Sequence, residues 1–311
     1  MTHLSRRMFV LGVALLVIPA GCGKKEKVSL GFKPVPGKVY TFRSTHALVA
    51  DVGAQGDSRR LEQSVTLRFR FVVEGQDAAG ARTARVTWTG VSFTQKTPVG
   101  TFRFDSAAPG GEAPPPAKPW AALTGESVVL KIGPDGKIAA VEGAERLRAS
   151  LLAKLGIEPT PEAMAMTGRQ FSAEALREQF ERLFDFLPPG AVGEGDRWTR
   201  ESVQGQGYPM KLNDTLTLQS VGEGKATLAL ASVVTPNPAA PPLDADGQEI
   251  RFEFKGEATG TLEVDLSDGL PRSATGRMTV SGYQRVNDRA SGKNFAFPTN
   301  LTLQTEVLRE P

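Results

Sequence analysis

Apolar and polar residues alternate with a period of two through most of this chain, and no other feature limits the fold as much. In Val65-Thr66-Leu67-Arg68-Phe69-Arg70-Phe71 the apolar side chains fall on one side and the threonine and arginines on the other. This is the pattern of an extended strand with one buried and one wet face. Phe102 and Phe104, Phe252 and Phe254, and Leu262, Val264 and Leu266 repeat it, while Arg251, Glu253 and Lys255 point the other way. Antiparallel pairing tolerates a wet face, so a mainly β, antiparallel architecture is expected.

The turns follow the same rhythm. Gly75 and Gly80 separate two alternating runs, as Gly222-Glu223-Gly224 does later, and Asp135-Gly136 and Asp268-Gly269 each close a run with the dipeptide that favours a tight hairpin. From Gly37 the chain gives Gly-Lys-Val-Tyr40, a glycine hairpin after Phe71, the Phe102/Phe104 strand, Leu130-Lys131-Ile132 and Asp135-Gly136. From Gly195 it gives Gly-Asp-Arg-Trp198, a glycine hairpin after Leu218, the Phe252/Phe254 strand, Val264-Asp265-Leu266 and Asp268-Gly269. The same landmarks in one order predict an internal duplication: two similar antiparallel β-meander halves, 37–143 and 191–311, closing one sandwich or half-barrel or forming two adjacent copies.

Between them, residues 144–190 form a helical insert. The segment 144–155 places Leu147, Leu151 and Leu155 on one face, and 173–187 carries Leu176, Phe180, Leu183, Phe184 and Leu187 at helical spacing, with Ser172 as N-cap and Pro188-Pro189 as the stop. Pro159 and Pro161 break the chain between the two helices. An amphipathic pair of this kind caps an open β core. The sharper alternative is a lid, with Phe180, Leu183 and Phe184 facing a hydrophobic ligand. The proline-rich stretches 107–119 and 235–247 are expected as exposed loops.

Ahead of this body, residues 1–21 read as a cleaved signal peptide. Ser5-Arg6-Arg7 precedes an apolar run over 8–20, which is shorter than the about 20 residues a membrane helix needs. Arg6 and Arg7 resemble the twin-arginine export signal, although two arginines also serve the general secretory route. Ala20-Gly21-Cys22 resembles a bacterial lipobox, which implies acylation of Cys22 and a lipid-anchored tether over 22–36. Pro19 stands where leucine is usual and leaves ordinary cleavage open. The implied location is the cell envelope, at the periplasmic face of the outer membrane in a diderm cell. Removal of 1–21 takes the formal charge from +3 to +1, and no basic stripe with interleaved aromatics speaks for nucleic acid as a partner. Lys24, Lys25 and Lys27 read as a solvated linker.

The chemistry-bearing residues are sparse. Cys22 is the only cysteine, and after His3 leaves with the signal only His46 remains. Histidine-pair and cysteine zinc sites and iron–sulfur ligation are thereby excluded, and no cofactor or metal is expected. His46 shares a face with Tyr40, Phe42 and Leu48, as a partly buried, hydrogen-bonded side chain would. No Gly-x-Ser-x-Gly elbow accompanies it. Gly193-Glu194-Gly195, Gly222-Glu223-Gly224 and Ser291-Gly292-Lys293-Asn294 lack the spacing of phosphate loops and read as turns. No carboxylate pair is singled out.

The junction Val192-Gly193-Glu194-Gly195-Asp196-Arg197-Trp198 follows a helix that stops at proline. With the β halves on either side, this Val-x-x-Gly-Asp-x-Trp run resembles a group of exported bacterial proteins and lipoproteins of unknown function. The resemblance implies no catalytic residue. Gly195 suits the turn, and Trp198, matched by Tyr40, anchors the first strand of its half. The expected role is noncatalytic binding, of a hydrophobic ligand or an envelope protein. The alternatives are a structural partner of an envelope complex, or a hydrolase built on two carboxylates.

Overall fold

Val65, Leu67, Phe69 and Phe71 are all buried, because successive side chains of a strand point to opposite faces. The computed structural model describes residues 27–54, 57–108, 110–204, 208–245 and 247–311. Arg6, Arg7 and Cys22 lie outside the described residues. The alternating runs become β1 (Val39–Ala54), β2 (Asp57–Gln76), β3 (Arg82–Thr97), β4 (Gly100–Asp105), β5 (Ser127–Ile132) and β6 (Ile138–Glu142) in the first half. In the second they become β7 (Arg197–Gln204), β8 (Met210–Gly222), β9 (Lys225–Pro236), β10 (Leu243–Ala245), β11 (Gln248–Asp265), β12 (Pro271–Asp288) and β13 (Lys293–Glu310).

All pair antiparallel in one open sheet of order β6-β5-β3-β2-β1-β13-β12-β11-β9-β8-β7, with β4 beside β3 and β10 beside β11. The two halves therefore share a single sheet, joined where β1 pairs β13 from Thr41↔Glu310 to Val52↔Thr299. They differ at one point. In the first half β3 holds β5 along Arg82–Thr87 and β4 along Ser92–Thr97. In the second, Phe252, Phe254 and Val264 lie on the single strand β11. The proline-rich stretch after β4 breaks what the other half keeps continuous.

Four helices fill the insert and one of the loops: α1 (Lys118–Ala121), α2 (Ala144–Lys154), α3 (Pro161–Phe171) and α4 (Ala173–Phe184). Three expectations need correction here. Pro161 does not break the chain but starts α3, behind an N-cap in which Thr160 Oγ1 accepts from Ala163 N at 3.2 Å. Proline is favoured at that position because its missing N–H would have no helical partner. The stretches 107–119 and 235–247 are not wholly irregular, since α1 begins in the first and β10 lies in the second. Ser172 caps α4 as its sequence suggests, accepting from Ala175 N at 3.1 Å. The helix ends at Phe184, short of Leu187, because Asp185 leaves helical geometry and turns its carbonyl to Arg200.

Three apolar clusters hold the sheet. The first packs β1, β2, β3 and β5 against the helices: the Phe180 ring lies 5.9 Å from Phe69 and 6.1 Å from Trp88, and Phe184 lies 5.5 Å from Phe71. The second gathers Leu216, Leu218, Leu228 and Val264, and Trp198 packs on it with Nε1 donating to Phe186 O at 3.1 Å. The third, at the opposite end of the strands, gathers Met210, Val234, Phe254, Met278, Val280 and Leu301. Helix α4 packs on β6, while Asp185 and Phe186 beyond its end are bonded to β7. The helical layer thus spans the gap between the two edge strands.

Residues 28–36, assigned to the tether by their position, join the body. Val28 bridges Val192, Leu30 enters the second cluster, Phe32 packs 5.2 Å from Phe184, and Lys33 N donates to Asp268 O at 2.8 Å. The segment crosses the end of the sheet where the Asp135-Gly136 and Asp268-Gly269 turns lie, and links both lower cores.

Candidate functional site

Register alone identifies the residues that share the inner face. Across the middle of the sheet one inward row reads His46, Thr305, Gly276 and Gly260. The next reads Leu48, Leu303, Met278, Ala258, Ser232, Asp214 and Arg200. Between the first cluster and the third, the apolar lining is therefore interrupted by polar side chains and by glycines that leave room. Helix α4 completes the enclosure. Its apolar side packs on the first cluster, and Arg182 comes within electrostatic reach of His46, Arg200 and Asp214.

Arg182 is reached by solvent, yet the surrounding protein lowers its pKa by desolvation. Both statements hold for an exposed side chain that has protein close on several sides, at the open inner face of the sheet. Among the described residues its guanidinium has no hydrogen bond and no ion pair. His46 is hydrogen-bonded to Ser44 Oγ at 3.0 Å, and desolvation, then the Arg182 charge, lower its pKa to about 4. The imidazole is neutral at pH 7.

Deeper on the same wall, Asp214 is 2% exposed and Ser232 is 5% exposed. Asp214 Oδ2 accepts from Arg200 Nε at 2.7 Å, and Arg200 also donates to Asp185 O. Among the described residues, Asp214 Oδ1 and Ser232 Oγ have no hydrogen-bond partner. Buried polar atoms are nearly always satisfied, so these two cross-strand neighbours form an unpaired polar spot enclosed in the wall. Leu48, Leu212, Leu303 and Phe252 face inward beside these groups and are only partly buried.

Phe180 and Phe184 are enclosed by rings of their own core, and Leu183 packs on the same cluster. The helix sits as a packed layer, and the residue it turns to the recess is Arg182. Asp214 carried a sequence signal, a carboxylate in phase with Leu212, Leu216 and Leu218. Arg182 carried none, because on a helix it reads as an ordinary solvated charge. Asp265 and Asp268 do come together, but both are bonded to Arg309, and burial of Asp265 is outweighed by bonds from Ser267, Arg272 and Arg309 that hold it well below the usual carboxylate range. Such a pair is an ion-pair cluster, not an acid and a base. On the opposite face Thr45, Thr261, Arg277 and Glu306 line a broad, shallow groove of about 570 Å³ behind Gly260 and Gly276.

His46 makes stability pH-dependent. The unfolded chain takes up its proton near the ordinary value of 6.5 and the native state only near 4, so stability falls as pH drops through that window. A loss of up to about 3 kcal/mol is expected between pH 7 and 4 from this group. His46→Asn should flatten urea-unfolding midpoints across that range; an unchanged slope would refute the assignment.

Among the described residues no helix is long and apolar enough to cross a membrane, and no group of three His, Cys, Asp or Glu could hold a metal ion. A family model described as a family of unknown function (DUF6263) matches residues 80–271. No curated protein matches the chain. Among solved structures, the chain is similar to one titled for lipid–protein interactions in lipovitellin, at 12% identity and a TM-score of 0.48, over 89% of this chain and 25% of that one. It spans about a quarter of that protein's length. It is also similar to DynF from the dynemicin biosynthesis pathway of Micromonospora chersina, at 8% identity and a TM-score of 0.21, over 96% and 92% of the two chains. A third, OpdQ of Pseudomonas aeruginosa, has 8% identity and a TM-score of 0.15 over 88% and 98%.

Proposed function

Because the chain belongs to DUF6263, a family of unknown function, its own geometry must supply the reading, and we propose that it is a lipid-anchored cell-envelope protein that holds an amphipathic small molecule without transforming it. The inner face of the sheet carries this reading: partly buried Leu48, Leu212, Leu303 and Phe252 lie on one wall, with Arg182, bonded to no described residue, and neutral His46 beside them. Sites for small ligands combine such an apolar lining with a few convergent polar groups. The anchor rests on Ala20-Gly21-Cys22 and its resemblance to a lipobox, and the export route on Arg6 and Arg7. Several acyl chains at Cys22 hold a protein to a membrane because each buried methylene contributes about 0.8 kcal/mol.

Both parts are tested on the full chain. The wild-type protein is expected in the membrane fraction with an acylated Cys22, and Cys22→Ser in the soluble fraction; Cys22→Ser that stays with the membrane without acylation sinks the anchor. The soluble Cys22→Ser protein is expected to bind oleyl alcohol saturably by calorimetry. If neither it nor oleate binds, the binding role is wrong.

A further inference from the structure

Resting on that reading, we propose that the recess selects an amphiphile with a single negative charge, a carboxylate at the end of one hydrocarbon chain, whose head lies on the Arg182 guanidinium and whose chain runs over Leu48, Leu303 and Met278. The charges around the recess decide between head groups. Arg200 is committed to Asp214 through Nε and to Asp185 through its backbone oxygen. Arg182 is bonded to no described residue and stands three residues before Asp185, whose carbonyl at the end of α4 accepts from Arg200. A guanidinium presents paired donors that match the two oxygens of a carboxylate.

The number of charges follows from the neighbours. Asp214 and Glu178 already act on Arg182 through space, and neutral His46 adds a hydrogen-bonding group but no charge. Among the described residues Arg182 is thus the one cation on offer, and a dianionic phosphate would meet Asp214 and Glu178 with its second charge. The register supplies the rest. Leu48, Leu303 and Met278 continue the row that contains Ser232 and Asp214, so the apolar surface begins one or two strands from the polar groups. It leads toward inward-facing Phe252 and, at the far end, Phe295, which is 38% exposed.

The test compares three ligands of one chain length on the soluble Cys22→Ser protein: oleate, oleyl alcohol and oleoyl lysophosphatidate. Oleate is expected to bind at least tenfold tighter than the alcohol, and tighter than the lysophosphatidate. Arg182→Gln should remove that advantage, with an unchanged circular-dichroism spectrum and thermal midpoint showing that the variant is folded, and Arg182→Lys should restore part of it. Equal binding of acid and alcohol, a preference untouched by Arg182→Gln, or tighter binding of the dianion overturns the charge assignment and leaves the amphiphile site standing. Failure of both oleate and alcohol removes the site itself.

Discussion

Replacing Arg309 by methionine is expected to destabilise the protein by about 3–5 kcal/mol, the cost typical of leaving a buried charge without its partner. Arg309 Nη1 holds both oxygens of Asp268, at 3.1 and 2.8 Å, and Nη2 holds Asp265 Oδ2 at 2.5 Å. Asp265 would keep Arg272 Nε at 2.9 Å. Asp268, with a side chain only 3% exposed, would keep little beyond the Leu270 N–H. The damage should therefore follow Asp268: in urea unfolding at pH 7, Arg309→Met combined with Asp268→Asn should recover a large part of the loss. A double variant as unstable as the single one would show that Arg309 acts through its packing on the Tyr40 ring instead.

Gly269→Ala should cost a comparable amount for a different reason. Gly269 has φ +70°, and a Cβ there would stand 1.8 Å from Gly31 O and 2.7 Å from Gly31 C. The obstacle is backbone and cannot swing aside, so residues 28–36 would have to lift, taking Leu30 and Phe32 out of two cores. Gly37 provides the control, with φ +76° and nothing within 4 Å of its Cβ position. Gly37→Ala should show only the left-handed backbone penalty, about 1–2 kcal/mol. Gly269→Ala should exceed it by at least 2 kcal/mol, since displaced core side chains add their own transfer and cavity terms. Equal thermal shifts for the two would mean that the crossing segment adds little to stability.

The strands were legible because each repeats a two-residue period against a single wet face. Val65 to Phe71 could be read directly, and so could the Asp-Gly turns that end β5 and β11. The union of both halves in one sheet was not legible, because it rests on β1 meeting β13, a pairing between strands with no local signature. Residues 28–36 were hidden for a similar reason: Leu30 and Phe32 alternate, but a stretch beside a presumed tether has no turn to mark it as part of the body. In the recess, His46 and Asp214 could be seen as polar residues in apolar phase. Arg182 could not, since only the placement of α4 distinguishes a helix charge facing a cavity from one facing bulk water.

The β1 and β13 pairing also sets an order of events. Thr41 stands opposite Glu310, so the middle of the sheet is made by strands far apart in sequence, with every other strand between them. Until β13 is available, β1 and β12 each present a bare edge at full strand length, the form of β structure most ready to join a neighbouring molecule. Loop closure over such a separation is slow, and slow β pairing lengthens the exposure. The protein is therefore most vulnerable before β13 docks, and its dependence on holding factors should be greatest for chains truncated before Lys293.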